Sequence, residues 1–117
     1  MITALTAIAN KGKLVNPSVV ESLAGDGWQQ DIKGGSGKQV INPDTARKIT
    51  DMMVSASERG ESKWARIPGF NVAGKTGTAQ VPREDGKGYS DESIHALIGY
   101  APAFNPKFLI YIQLNKP

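Results

Sequence analysis

A chain of 117 residues with 39% hydrophobic content and 13 glycines has the size of one globular domain, and its net charge of +3 is too small to argue for nucleic acid or an anionic membrane as a partner. There is no cysteine, which removes disulfide frameworks, thiolate metal sites and cysteine nucleophiles. His95 is the only histidine, so a multi-histidine metal site is excluded, and neither a metal nor a cofactor is expected.

The opening stretch MITALTAIAN lacks the basic leader and cleavage site of a signal peptide, and no apolar run reaches the length of a membrane span. Ile2, Leu5, Ile8 and Ala9 recur at helical spacing, and Gly12 is the stop. A helix that begins at Met1 with no capping residue before it suggests a chain cut out of something longer. Leu14-Val15 and Ser18 to Val20 read as short extended pieces around Pro17. Gly25 to Gly37, GDGWQQDIKGGSG, reads as a flexible loop because glycine recurs so often. A second helix is expected after it. Asn42 can cap, Pro43 fits the first helical position, and Asp44 suits the positive end of the helix dipole. Ala46, Ile49, Met52, Met53 and Ala56 then make one apolar face, with Gly60 as the terminator.

After Pro68-Gly69 the period changes. Phe70 to Ala73 and Thr76 to Val81 are rich in β-branched and small residues and read as extended, stopped by Pro82. The charged, glycine-containing PREDGKGYSDES that follows reads as a mobile surface loop. Ile94 to Ala101 and Phe108 to Leu114 are two more strands, joined by the turn Pro102 to Lys107 and therefore antiparallel. Thr76 to Val81 is expected antiparallel to Leu97 to Ala101, with Phe108 to Leu114 on that strand's other side. Both later strands are apolar at nearly every position, which argues for a sheet covered on two faces. Two helices are too few to cover it. The fold class is α/β in the broad sense (α+β), an antiparallel sheet flanked by helices.

The stretch GFNVAGKTGTAQV, Gly69 to Val81, fits two unrelated sites. Read from Gly69 it matches the phosphate-loop pattern G-x-x-x-x-G-K-[ST] as far as Thr76. That chemistry needs a helix beginning at Gly74-Lys75-Thr76, because the helix N–H groups and dipole hold the phosphates. Gly77, Thr78 and Pro82 disfavour such a helix, and no later strand ends in a magnesium-holding aspartate. Read from Lys75 it is a K-T-G triplet, which belongs on a strand with glycine where a substrate backbone approaches closely.

VAGKTGTAQ, followed by IGYAPAFNPK and an apolar strand, resembles the C-terminal part of the transpeptidase domain of class B penicillin-binding proteins. MITALTAIANKGKLVNP resembles the family's segment after its second motif, and INPDTARKITDMMVSASERG resembles the helix before the K-T-G strand. The resemblance spans almost the whole chain, so residues 1–117 are read as the C-terminal portion of one such domain. ARIPGFNVAGKTGTAQ leans toward the septal, division branch, while His95-Ala96 before Gly99-Tyr100 is similar to the elongation branch. The family's S-x-x-K and S-x-N motifs are absent from this sequence, and Thr45 to Lys48 only imitates the first spacing. No nucleophile is therefore assigned, and the chain by itself is expected to be inactive.

The resemblance implies acyl transfer on a peptidoglycan stem peptide ending in D-Ala-D-Ala, with β-lactams as mimics and an extracytoplasmic location. It implies that Lys75 places a positive charge near the substrate carboxylate and the S-x-N serine. Thr76 and Thr78 would offer hydroxyls to that carboxylate, and the Thr78 N–H would be one oxyanion donor. Gly77 would let the substrate backbone approach, and Gln80 would line the outer cleft. The remainder of the transpeptidase domain is the implied partner. Two rival readings stand beside this one: a nucleotide site at Gly69 to Thr76, and a non-catalytic module that binds peptides along the sheet edge. His95 is read as an ordinary strand residue.

Overall fold

The computed structural model describes residues 1–32, 35 and 37–117. The first helix, α1, runs Ile2–Ala9 with Met1 at its N-cap and no side-chain capping bond. Two short antiparallel pairs follow. Strand β1 (Lys13–Leu14) pairs with β4 (Lys38–Gln39), and β2 (Ser22–Gly25) pairs with β3 (Trp28–Asp31). Ser18 to Val20 form no strand.

The β2–β3 hairpin corrects the loop reading of Gly25 onward. Asp26-Gly27 is a two-residue hairpin turn with Gly27 at φ +78, a left-handed conformation that glycine adopts without steric cost. Trp28 then folds its indole over Gly25, where a Cβ would lie 2.3 Å from the ring nitrogen. Of the expected loop, residues 33, 34 and 36 lie outside the described residues.

Helix α2 spans Pro43–Arg59, and the Asn42 side chain accepts the Asp44 N–H at 2.8 Å, as the capping pattern requires. Its buried stripe is Ala46, Thr50, Met53 and Ser57, at the 4-3-4 spacing of a helix face. Met52, expected on that face, is 63% exposed, because it precedes Met53 by one position and so points about 100° away. Two of the four buried positions are hydroxyl residues, which apolar patterning cannot mark. Thr50 solves the problem of its own burial twice: its hydroxyl lies 2.9 Å from Ala46 O and 2.7 Å from the Tyr100 hydroxyl. Past Gly60 a 3₁₀ turn, Glu61–Ala65, leads away from the helix.

The three-stranded sheet has the order β5-β6-β7, with β5 Ala73–Pro82, β6 Tyr89–Ala101 and β7 Phe108–Asn115, antiparallel throughout. The neighbours are those expected, but the register is revised. Thr76 to Gln80 lie opposite Leu97 to Ser93, while Leu97 to Tyr100 face Thr76 to Ala73. Pairing starts earlier than expected because Ala73 and Gly74 are already strand residues. Strand β6 also reaches back to Tyr89, so half of the stretch read as a mobile loop is strand. A register shift between Gln80 and Pro82 lets Pro82, which has no N–H to donate, end the pairing opposite Tyr89.

Directly opposed residues of a sheet share a face. Ala73, Tyr100 and Leu109 are opposed and, with Ile98, meet Leu5 and Ile8 of α1 and Ile49 and Met53 of α2 in the core. The opposite face carries Leu97, Phe108, Ile110, Ile112 and Leu114. The last four are between 45 and 58% exposed, and no helix among the described residues covers them. Within this chain, then, the sheet is buried on one side and open on the other.

Candidate active site

Strand β5 is the edge of the three-stranded sheet, and its backbone polarity follows from one hydrogen bond. Lys116 N–H donates to Ser93 O at 2.9 Å, which makes Ser93 and every second residue after it turn its amide toward β7. The alternate residues Ile94, Ala96, Ile98 and Tyr100 therefore face β5, where they meet Ala79, Gly77, Lys75 and Ala73. Gly74, Thr76, Thr78 and Gln80 are left with N–H and C=O groups directed at the free edge. Thr78 N–H is among them, an outward donor of the kind an oxyanion or an added strand can use.

Side chains alternate across the same strand. Lys75 and Gly77 lie on the helix-facing side; Thr76, Thr78 and Gln80 lie on the open side, in the row with Ser93, His95 and Leu97. Lys75 is exposed, and its ammonium donates to Thr76 O at 2.7 Å. The Thr76 hydroxyl donates to Glu61 Oε2 at 3.2 Å. Thr78 Oγ1 sits 3.4 Å from His95 Nδ1, and His95 Nε2 is 2.8 Å from Ser93 Oγ. Gly77 has no atom within 4 Å of where a Cβ would be, so the backbone is open to a ligand on that side. Gln80 is exposed at the end of the regular pairing.

Gly74 is different. A Cβ there would lie 2.8 Å from Ser57 Oγ and 3.7 Å from Ser62 Cβ, so glycine allows α2 and the 3₁₀ turn to close against the start of β5. Ser57 and Ser62 are both 2% exposed, and neither hydroxyl has a hydrogen-bond partner. Neither has a lysine three residues on, since Gly60 and Ala65 hold those positions.

The nucleotide reading of Gly69 to Thr76 fails on this geometry. Residues 73–82 are strand, so no helix N-terminus is presented at Lys75-Thr76 and there is no dipole to hold a phosphate. Among the described residues, no group of three or more His, Asp or Glu side chains is placed to hold a metal ion. Sequence reading missed two polar neighbours of the strand. Glu61 lies 15 residues before Thr76 with no local pattern linking them, and His95 meets Thr78 only through the strand register.

Comparison with known proteins supports the same conclusion. The family described as "Penicillin binding protein transpeptidase domain" matches residues 1–117. The chain is 35% identical over 117 residues to "Probable peptidoglycan D,D-transpeptidase PbpC" of Pseudomonas aeruginosa, covering 97% of this chain and 19% of that protein. It is 32% identical over 119 residues to "Stage V sporulation protein D" of Bacillus subtilis, covering 99% of this chain and 18% of that protein. The structure of penicillin-binding protein 3 of Mycobacterium tuberculosis complexed with aztreonam superposes with a TM-score of 0.87 at 30% identity, covering 98% of this chain and 28% of that one. The chain thus spans about a fifth of the length of the curated relatives it matches.

Proposed function

The chain belongs to the penicillin-binding protein transpeptidase domain family, and on that premise we propose that it is the C-terminal portion of such a domain, supplying the K-T-G wall of a peptidoglycan D,D-transpeptidase site. The observation that carries this reading is the free edge of β5. Lys75 stands on that strand, and Thr76, Thr78 and Gln80 direct their backbone groups outward.

In this reading an extended stem peptide ending in D-Ala-D-Ala lies along the edge like a further strand, hydrogen-bonded to outward backbone groups. A serine contributed from outside this chain attacks the penultimate carbonyl, and D-alanine leaves. An amine from a neighbouring stem peptide then resolves the acyl-enzyme. As charge develops on the carbonyl oxygen, the Thr78 N–H is one of two donors to it; loss of one such donor costs about 100- to 1000-fold in rate. Gly77 leaves the strand open to the approaching backbone. Lys75 supplies positive charge near the substrate carboxylate and the S-x-N serine, which also comes from outside this chain, and Gln80 lines the outer cleft. A β-lactam takes the same place and leaves the serine acylated. The site of action is extracytoplasmic, where the peptidoglycan substrate is.

The test exchanges the matching segment of a relative's transpeptidase domain for this chain and treats the product with a fluorescent penicillin. We expect stoichiometric acylation of the relative's serine, and no adduct on the 117-residue chain alone. A folded chimera that is not acylated, or a serine-linked adduct on the chain itself, overturns the assignment.

A further inference from the structure

The 3₁₀ turn places a carboxylate where the proposed substrate's own carboxylate would compete with it. Ser62, buried behind Gly74, seats the turn against the start of β5. Its neighbour Glu61 then reaches across to accept the Thr76 hydroxyl at 3.2 Å. A threonine hydroxyl has one proton, so it donates to one acceptor at a time. The same carboxylate borders a cavity of about 410 Å³ on the open side of the strand, shared with Thr76, Thr78, His95, Leu97 and Ile112. Among the described residues of that lining, Glu61 is the only carboxylate.

We propose that Glu61 is a specificity-determining residue of this edge, an internal carboxylate that occupies the Thr76 donor and disfavours anionic ligands at the K-T-G strand. The proposal rests on the reading of β5 as a ligand wall. For a carboxylate ligand to take the Thr76 proton, Glu61 must release it, and its charge opposes a second anion nearby. A neutral ligand meets no such opposition. Glu61 is exposed, so the effect is of the modest size typical of surface charge contacts.

The experiment uses the full chain with methyl-labelled threonine, whose spectra tolerate self-association. Acetyl-D-Ala-D-Ala and its C-terminal amide are titrated against the wild type, Glu61→Gln and Glu61→Ala. Both variants should bind the free acid about three- to fivefold more tightly than wild type, with the amide unchanged. Equal affinity of wild type and variants for the acid, or parallel changes for acid and amide, overturns the proposal. A ligand-free readout separates this from failure of the functional reading. Three-bond couplings should show one Thr76 χ1 rotamer in wild type and averaging in Glu61→Ala; averaging already present in wild type overturns the proposal. If neither peptide binds any form while the rotamer difference is present, the ligand wall is refuted and the specificity role falls with it.

Discussion

The contact between Thr50 and Tyr100 ties α2 to the sheet directly beneath the start of β5, and it yields an asymmetric prediction. Tyr100 is 1% exposed, and the Thr50 hydroxyl at 2.7 Å is the partner its own hydroxyl has. Thr50→Val keeps the shape of the side chain but strands the Tyr100 hydroxyl in the core, which costs about 1–3 kcal/mol. Tyr100→Phe leaves the Thr50 hydroxyl with Ala46 O as acceptor at 2.9 Å, so only the net value of one bond is lost, about 0.5–1.5 kcal/mol. The double variant removes both polar atoms from the contact and should cost less than the sum of the two single changes. Urea denaturation of the four proteins measures the cycle. A Thr50→Val cost below that of Tyr100→Phe, or strict additivity, would refute the reasoning.

The same tyrosine predicts an alkaline instability: burial pushes its pKa up, the Thr50 bond partly offsets this, and the Asp51 charge adds to the rise. Above about pH 10 the unfolded chain releases this proton while the folded chain keeps it. Stability should therefore be level below that pH and fall above it until the folded-state pKa is passed; Tyr100→Phe should lessen that slope in pH-dependent unfolding. Gly74→Ala puts a Cβ 2.8 Å from Ser57 Oγ and should destabilise by about 1–3 kcal/mol, whereas Gly77→Ala meets nothing within 4 Å and should stay within about 0.5 kcal/mol of wild type in urea. Phe108, Ile110, Ile112 and Leu114 leave an apolar face open, where a few hundred Å² left uncovered forgoes several kcal/mol at about 25 cal/mol per Å². The chain should bind a hydrophobic dye and self-associate while retaining its secondary structure, as fluorescence and sedimentation can check; a monodisperse monomer that binds no dye contradicts this.

The elements legible in the sequence were those in which local chemistry and tertiary context agree. Asn42-Pro43-Asp44 starts α2 where expected, and Gly60 closes it. The K-T-G strand and the order of its neighbours follow from period and from short connections. What escaped was set by contacts between distant residues. The buried stripe of α2 includes Thr50 and Ser57, whose hydroxyls make them look like surface positions until Tyr100 and Gly74 are placed against them. The Asp26-Gly27 turn was present in the sequence as a hairpin signal, but the density of glycines around it obscured it. The site was legible as a motif on a strand, though the assignment of its two faces was not. Lys75 and Thr76 take opposite sides of the sheet by the strand's period of two, but which of them faces the helices is fixed only by pairing with Ile98 and Leu97.

Lys75 offers the most direct test of the central claim, because the fold does not need it. Its side chain is exposed, and its ammonium donates to Thr76 O in its own strand. In the chimera of this chain with a relative's serine-bearing segment, the second-order rate of acylation by penicillin should be measured for wild type and Lys75→Ala. Loss of the lysine should slow acylation by roughly 100-fold or more, the scale of losing one positioned electrostatic group, with the midpoint of unfolding unchanged. Acylation at the wild-type rate by the Lys75→Ala protein would contradict the claim that this strand forms the wall of the site.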